Sequence, residues 1–251
     1  MKFDIIYLER VDSTNAYAKK LLNGSTAGEG TVVWAGEQYA GRGLGENTWH
    51  SGAGLNLTFS LILEPLFLQP DNLFCLNKAV ALAVLHTIRH ELKGGIQASV
   101  KWPNDIYAGD RKIAGILIEH TILGTAIKHT VIGVGINLNQ EEFPAGIPNP
   151  VSLLQLTGKQ FDPSNILEKS ISNLAGEYSR LSSTECDQIV SEYDANLFGL
   201  GKNLLFTASA ASFNGSIRGV DDLGRLCVLT ADGVLHKFNH GEVVIKSQVT
   251  G

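Results

Sequence analysis

The sequence predicts an α+β protein: a mixed sheet packed with helices, followed by a small all-β tail. Three observations carry this. Apolar, β-branched runs at 31–36, 56–63 and 130–138 alternate with helix-forming stretches, the longest at 73–92. A Gly199-Leu200-Gly201 hinge precedes five short strand patterns separated by Asp/Gly turns. The chain has 251 residues, 44% hydrophobic and 18% charged, which suits one large domain plus a small one and supplies an adequate core. The expected division is 1–198 and 199–251.

In order, Phe3 to Leu8 reads as an entering strand. Asp12-Ser13-Thr14-Asn15 then places polar caps before AYAKKLL, a helix start. Thr31 to Gly36 is a buried strand with Gln38 at its end, and Asn56 to Leu63 is the next. Leu73 to Leu92 is a long helix closed by Gly94-Gly95. Its His86 and His90 share a face, but no third ligand accompanies them, so they read as a solvated face. Ala98 to Lys101 is a strand that Pro103 stops. Ile106 to Ala108, a Gly109-Asp110 turn and Lys112 to His120 form a hairpin, and Thr130 to Leu138 is a further strand. After a proline-rich connector at 141–150, helices are expected at Ser152-Leu153, Pro163 to Leu181 and Thr184 to Asn196, with a capping pattern at Thr184-x-x-Asp187. The tail strands are 203–207, 212–220, 225–229, 234–239 and 243–246.

Composition excludes several classes of function. A net charge of −5 supplies no global basic field for duplex nucleic acid. Cys75, Cys186 and Cys227 are few and scattered, which argues for reduced thiols in a cytosol and against a structural zinc site. The opening MKFDIIYLER is broken by charge and is no signal peptide, and no apolar run reaches the roughly 18 residues of a membrane span.

Two stretches look built for chemistry. Between Gly41 and Gly54 lie five glycines, with Arg42 among them and Trp49 close behind. A chain keeps so entropically costly a segment when backbone must approach something closely, an anion above all. The second stretch, Lys101-Trp102-Pro103-Asn104-Asp105, sets a cation, an aromatic, a proline, an amide and a carboxylate in succession at a strand end. Lys101 there is a compact point charge suited to a phosphate oxygen. Gly115, inside a strand, marks a further close approach. GxGxN at Gly133, Gly135 and Asn137 has half a dinucleotide fingerprint, but no long helix opens after it.

GRG with a following Trp, KWPND, KIAGILIE and GVGINLN, in this order and spacing, resemble biotin protein ligase (biotin–acetyl-CoA-carboxylase ligase). The resemblance covers nearly the whole chain. It implies a class II synthetase-like catalytic fold with a C-terminal SH3-like barrel. It implies ATP-dependent ligation of biotin, through biotinyl-5'-AMP, to a lysine of a biotin carboxyl carrier protein domain, with Mg²⁺ accompanying ATP. Biotin would be held by Ser13, Thr14, Asn15, Gln38, Gly41, Arg42, Lys101, Gly115 and Ile116. ATP would be held by Arg42, Gly43, Trp49, Asn104, Lys112, Asn137 and Lys246. Lys101 and Arg42 are the catalytic candidates. By composition alone Ser13 and Thr14 read first as helix caps, and Lys246 reads equally as a surface lysine. Asp105 is open between metal or proton work and a structural turn. Where many members read GRGRRGR, this chain has Leu44, Gly45 and Asn47, which leaves Arg42 as the loop's cation. No helix-turn-helix domain precedes Phe3, so DNA binding is not expected; a cytoplasmic enzyme is. Some relatives pair through sheet edges, so a homodimer is an open expectation. Lipoate–protein ligase and a noncatalytic biotin-binding module are the alternatives.

Overall fold

The computed structural model describes residues 1–92, 95–124, 126–183, 186–209 and 211–248. Lys93, Gly94, Thr125, Thr184, Glu185 and Ala210 lie outside the described residues, and with them parts of the expected helix stop at Gly94-Gly95 and capping pattern at Thr184.

A seven-stranded sheet carries the first part of the chain. Its strands are β1 (Asp4–Val11), β2 (Thr31–Gln38), β3 (Leu57–Leu63), β4 (Ala98–Lys101), β5 (Asp105–Ala108), β6 (Arg111–Leu123) and β7 (Ala126–Ile136), in spatial order β1-β2-β3-β7-β6-β5-β4. Only β1 and β2 run parallel; the other pairs are antiparallel, so the sheet is mixed. β3 is buried along its whole length, as expected of a central strand covered on both faces.

One face is covered by helix α1 (Thr14–Asn23), whose Ala18 packs on Val33, Ile62 and Val131. Helices α2 (Leu73–Glu91), α4 (Pro163–Ser183) and α5 (Cys186–Ala195) cover the other, in a core that includes Leu82, Leu85, Ile106 and Ile132. The short α3 (Leu153–Thr157) is capped by Ser152, with Gln155 returning the bond to the Ser152 N–H. A second, five-stranded antiparallel sheet follows: β8 (Asn203–Ala208), β9 (Ala211–Val220), β10 (Leu226–Thr230), β11 (Leu235–Phe238) and β12 (Val243–Gln248), in order β11-β10-β9-β8-β12.

The two sheets are joined through buried groups. Trp102 donates its indole N–H to the Gly224 carbonyl (2.9 Å), and its ring lies 6.4 Å from that of His240. Lys78 of α2, almost wholly buried, donates to the Val220 carbonyl (2.7 Å) between the rings of Phe74 and Tyr193. Burial depresses the Lys78 pKa against the attraction of Asp194, and burial raises that of Asp194 against Lys78.

One expectation is corrected. The thiols of Cys75 and Cys186 are not free: they form a disulfide that ties α2 to α5, with Cα atoms 6.1 Å apart, and only Cys227 is a free, buried cysteine. Their 111-residue separation concealed the pairing, because helices that pack across a core bring distant positions together.

Candidate functional site

A transverse row of the sheet builds the site floor. Residues paired across neighbouring strands face the same side, so the registers place Ala35, Thr58, Gly135, Gly115, Asp105 and Lys101 in one line across six strands. The two glycines leave a slot in that line. The indole of Trp49 lies in it: a Cβ on Gly115 would come within 3.0 Å of the ring, and one on Gly135 would overlap it. In the adjacent row Gly133 leaves the same kind of space for the Asn15 amide. GVG thus has a packing reason at both glycines. The close approach expected at Gly115 is made by a side chain of this chain.

The cavity over this floor measures about 600 Å³, within the usual range for small-molecule sites. At one end stand buried neutral polar groups. Gln38 Oε1 accepts from the Thr14 N–H (2.7 Å) and hydroxyl (3.0 Å), and Ser60 donates to Thr14 Oγ1 and Asn15 Oδ1. Asn15 Nδ2 donates to the Leu117 carbonyl and to Glu119. Ser13 is indeed the N-cap of α1, but its bond from the Ala16 N–H is long, at 3.5 Å, which leaves its hydroxyl capacity toward the cavity.

At the other end are two lysines in different settings. Lys101 Nζ donates to the Tyr107 hydroxyl (2.9 Å) and lies 4.5 Å from that ring's centre; no salt bridge among the described residues engages it. Lys112 Nζ lies 2.6 Å from Asp105 Oδ1 and 5.8 Å from the Trp49 ring. Asp105 is therefore a charge partner of Lys112, and no group of three His, Cys, Asp or Glu among the described residues is arranged to hold a metal. Asp105, expected either as a metal or proton group or as a structural turn carboxylate, stands in this structure as the ion-pair partner of Lys112.

The glycine segment is a small hairpin bridged at Arg42 and Thr48, with N–H bonds from Gly43 to Asn47 and from Trp49 to Gly41. Gly45 sits in the left-handed region (φ +66°) at its tip. Arg42 lines the cavity, more than half exposed, with its guanidinium 3.9 Å from Glu119. The far end is pinned by Gln140, which accepts from the Gly52 N–H and from Asn56.

The structure brings together Ser13, Thr14, Asn15, Gln38, Arg42, Gly43, Trp49, Lys101, Asn104, Lys112, Gly115, Ile116 and Asn137 around one cavity. Asn104 and Asn137 also brace it: Asn104 donates to Ile116, and Asn137, nearly buried, donates to the Val151 carbonyl. Two of the expected residues lie off the cavity lining. Gly41 is buried under the Trp49 backbone and does not line the cavity. Lys246 is exposed at an irregularity of β12, away from the lining, because the register shift there turns it outward. The terminal sheet's contribution is instead His240. Sequence reading also passed over Tyr107, Ser60, Glu119 and the 143–150 connector, which walls the cavity. A second proline-dense stretch right after GVGINLN was the available signal for that wall. His86 does not face open solvent alone: it lies 3.6 Å from Glu177 and 3.2 Å from Glu192.

Comparison with known proteins adds to this geometry. The biotin/lipoate A/B protein ligase family profile matches residues 7–137, and the biotin protein ligase C terminal domain matches 199–246. The bifunctional ligase/repressor BirA of Bacillus spizizenii is 33% identical over 92% of this chain and 70% of its own length. The biotin–[acetyl-CoA-carboxylase] ligase of Paracoccus denitrificans is 32% identical over 87% of this chain and 91% of its own. The structure of an Aquifex aeolicus biotin protein ligase in complex with biotin and ATP superposes with a TM-score of 0.81 at 26% identity, covering 98% of this chain and 99% of that one.

Proposed function

The chain belongs to the biotin/lipoate A/B protein ligase family, and from that premise we propose that it is a biotin–protein ligase. It joins biotin to ATP as biotinyl-5'-AMP, releasing pyrophosphate, and passes the biotinyl group to a lysine of a carboxylase carrier domain, releasing AMP. The observation that carries this reading is the division of the single cavity into a neutral, hydrogen-bonded end and a cationic end. The vitamin has the same division, a neutral ureido bicycle and a carboxylate tail.

Thr14, Ser13 and Gln38 meet the ureido group, their own partners having fixed them beforehand. Lys101 meets the negative oxygens as the tail attacks the α-phosphorus, and its ammonium is available because its partner is a neutral phenol. Arg42 closes over the same oxygens from the glycine hairpin. Trp49 stands as a wall for the nucleotide, and its buried, unpartnered indole N–H is a donor without an acceptor. Mg²⁺ accompanying ATP would supply charge neutralisation to the phosphates, beside Lys101 and Lys112. Neither step requires a protein nucleophile, so binding geometry and charge carry the catalysis. The relatives compared above are biotin ligases, which favours biotin over lipoate as the substrate.

The test is incubation with biotin, labelled ATP, Mg²⁺ and a carrier domain, following pyrophosphate exchange and label transfer. Biotin-dependent exchange is expected. Exchange with lipoate and none with biotin, or biotin binding without pyrophosphate release, would refute the reading.

A further inference from the structure

Glu119, on β6, has no role in the reading above, yet three elements converge on its carboxylate. Lys19 of α1 is 2.5 Å from Oε1, Asn15 of the same helix is 2.9 Å from Oε2, and Arg42 of the glycine hairpin is 3.9 Å from Oε1. Burial alone would raise the Glu119 pKa; bonds from Lys19 and Asn15 and the charges of Lys19 and Arg42 outweigh it, so the carboxyl is held below its ordinary value and is ionised at neutral pH. The acid is fixed from two sides. The arginine is less so: its backbone is held by the bridge to Thr48 and by the flanking N–H bonds from Gly43 to Asn47 and from Trp49 to Gly41, but its side chain is more than half exposed.

We propose that Glu119 is a positioning residue that governs retention of the activated intermediate, by holding the side chain of the cavity-lining Arg42 against β6, and that Lys19 moderates this pull by sharing the same carboxylate oxygen. The inference rests on the adenylate reading of the cavity. A fixed anion beside an exposed guanidinium limits the positions that the Arg42 side chain can take. Asn15 couples that anion to the helix start carrying Ser13 and Thr14, so one carboxylate sets both the neutral end and the arginine over it. Lys19 competes for Oε1. It therefore acts in the opposite sense to Glu119, which a plain structural brace would not do.

The experiment measures dissociation of synthetic biotinyl-adenylate, chased with excess unlabelled adenylate, from the wild-type protein and from Glu119→Gln, Lys19→Met, Arg42→Met and the Glu119→Gln/Arg42→Met pair. Glu119→Gln keeps an oxygen for Asn15 and loses the charge. It should speed release by about twofold to fivefold, the range of a partly exposed ion pair. Lys19→Met, at a partly exposed position where folding is not at risk, should slow release by about twofold. Adding Glu119→Gln to Arg42→Met should change nothing further. Faster release from Lys19→Met, additive effects in the pair, or rates equal to wild type would overturn the proposal while leaving the ligase reading intact. A wild-type protein that does not bind the adenylate would overturn both.

Discussion

The two ends of the cavity are built on different plans. At the neutral end, Thr14, Asn15, Gln38 and Ser60 satisfy one another in a buried network before any ligand arrives. At the cationic end, Lys101 leans on a phenol and Lys112 on a carboxylate; Arg42, half in solvent, lies 3.9 Å from Glu119, the carboxylate that Asn15 of the neutral end bonds. A rigid end recognises shape and hydrogen-bond pattern, since any mismatch strands a buried group. Lys101, with no salt bridge among the described residues, suits charge that appears only during reaction, whereas Lys112 is already paired with Asp105.

Substitutions can break or sharpen this contrast. The largest effect is expected at Lys101. Lys101→Ala should leave melting unchanged but reduce biotin-dependent pyrophosphate exchange by about a hundredfold or more, the scale of a lost transition-state donor; unaltered exchange would remove Lys101 from the mechanism. Next is Gly135→Ala, whose new methyl would overlap the Trp49 ring. Overpacking of about 1–3 kcal/mol should displace the indole and weaken ATP binding by calorimetry more than biotin binding; equal loss of both would show that the two ends are not independent. Gln38→Leu should act the other way. It leaves the Thr14 N–H unpaired at a cost of about 1–3 kcal/mol, so biotin affinity should fall by about tenfold while Kd for ATP stays within about twofold. The smallest effect is expected at Lys246→Ala, where an exposed lysine off the cavity should leave turnover within about twofold; a larger loss would mean that β12 reaches the phosphates in the working complex.

The sequence made the neutral end more legible than its supports. Ser13, Thr14 and Gln38 stood at a helix start and a strand end, where local rules place caps and sites. Lys101 was equally visible because Pro103 ends its strand. Ser60 and Glu119, which position those groups, are internal strand residues whose importance depends on register across β3, β7 and β6, a non-local property. Gly41 and Lys246 were placed by resemblance. Local packing against the Trp49 backbone in one case, and a register shift in the other, decided where they point. The elements themselves were recovered to within a few residues at most ends, since their apolar periods are strong. The Cys75–Cys186 bond was not, since spacing along the chain says nothing about helices meeting across a core.

The ammonium of Lys78, sandwiched by Phe74 and Tyr193 and capped by the Val220 carbonyl, has a consequence for how the molecule comes apart. Peeling the terminal strands from α2 would break this bond and the Trp102–Gly224 bond together and expose both buried donors. Melting should therefore proceed as one cooperative event, and His240 keeps its station at the cavity mouth for as long as the chain remains folded.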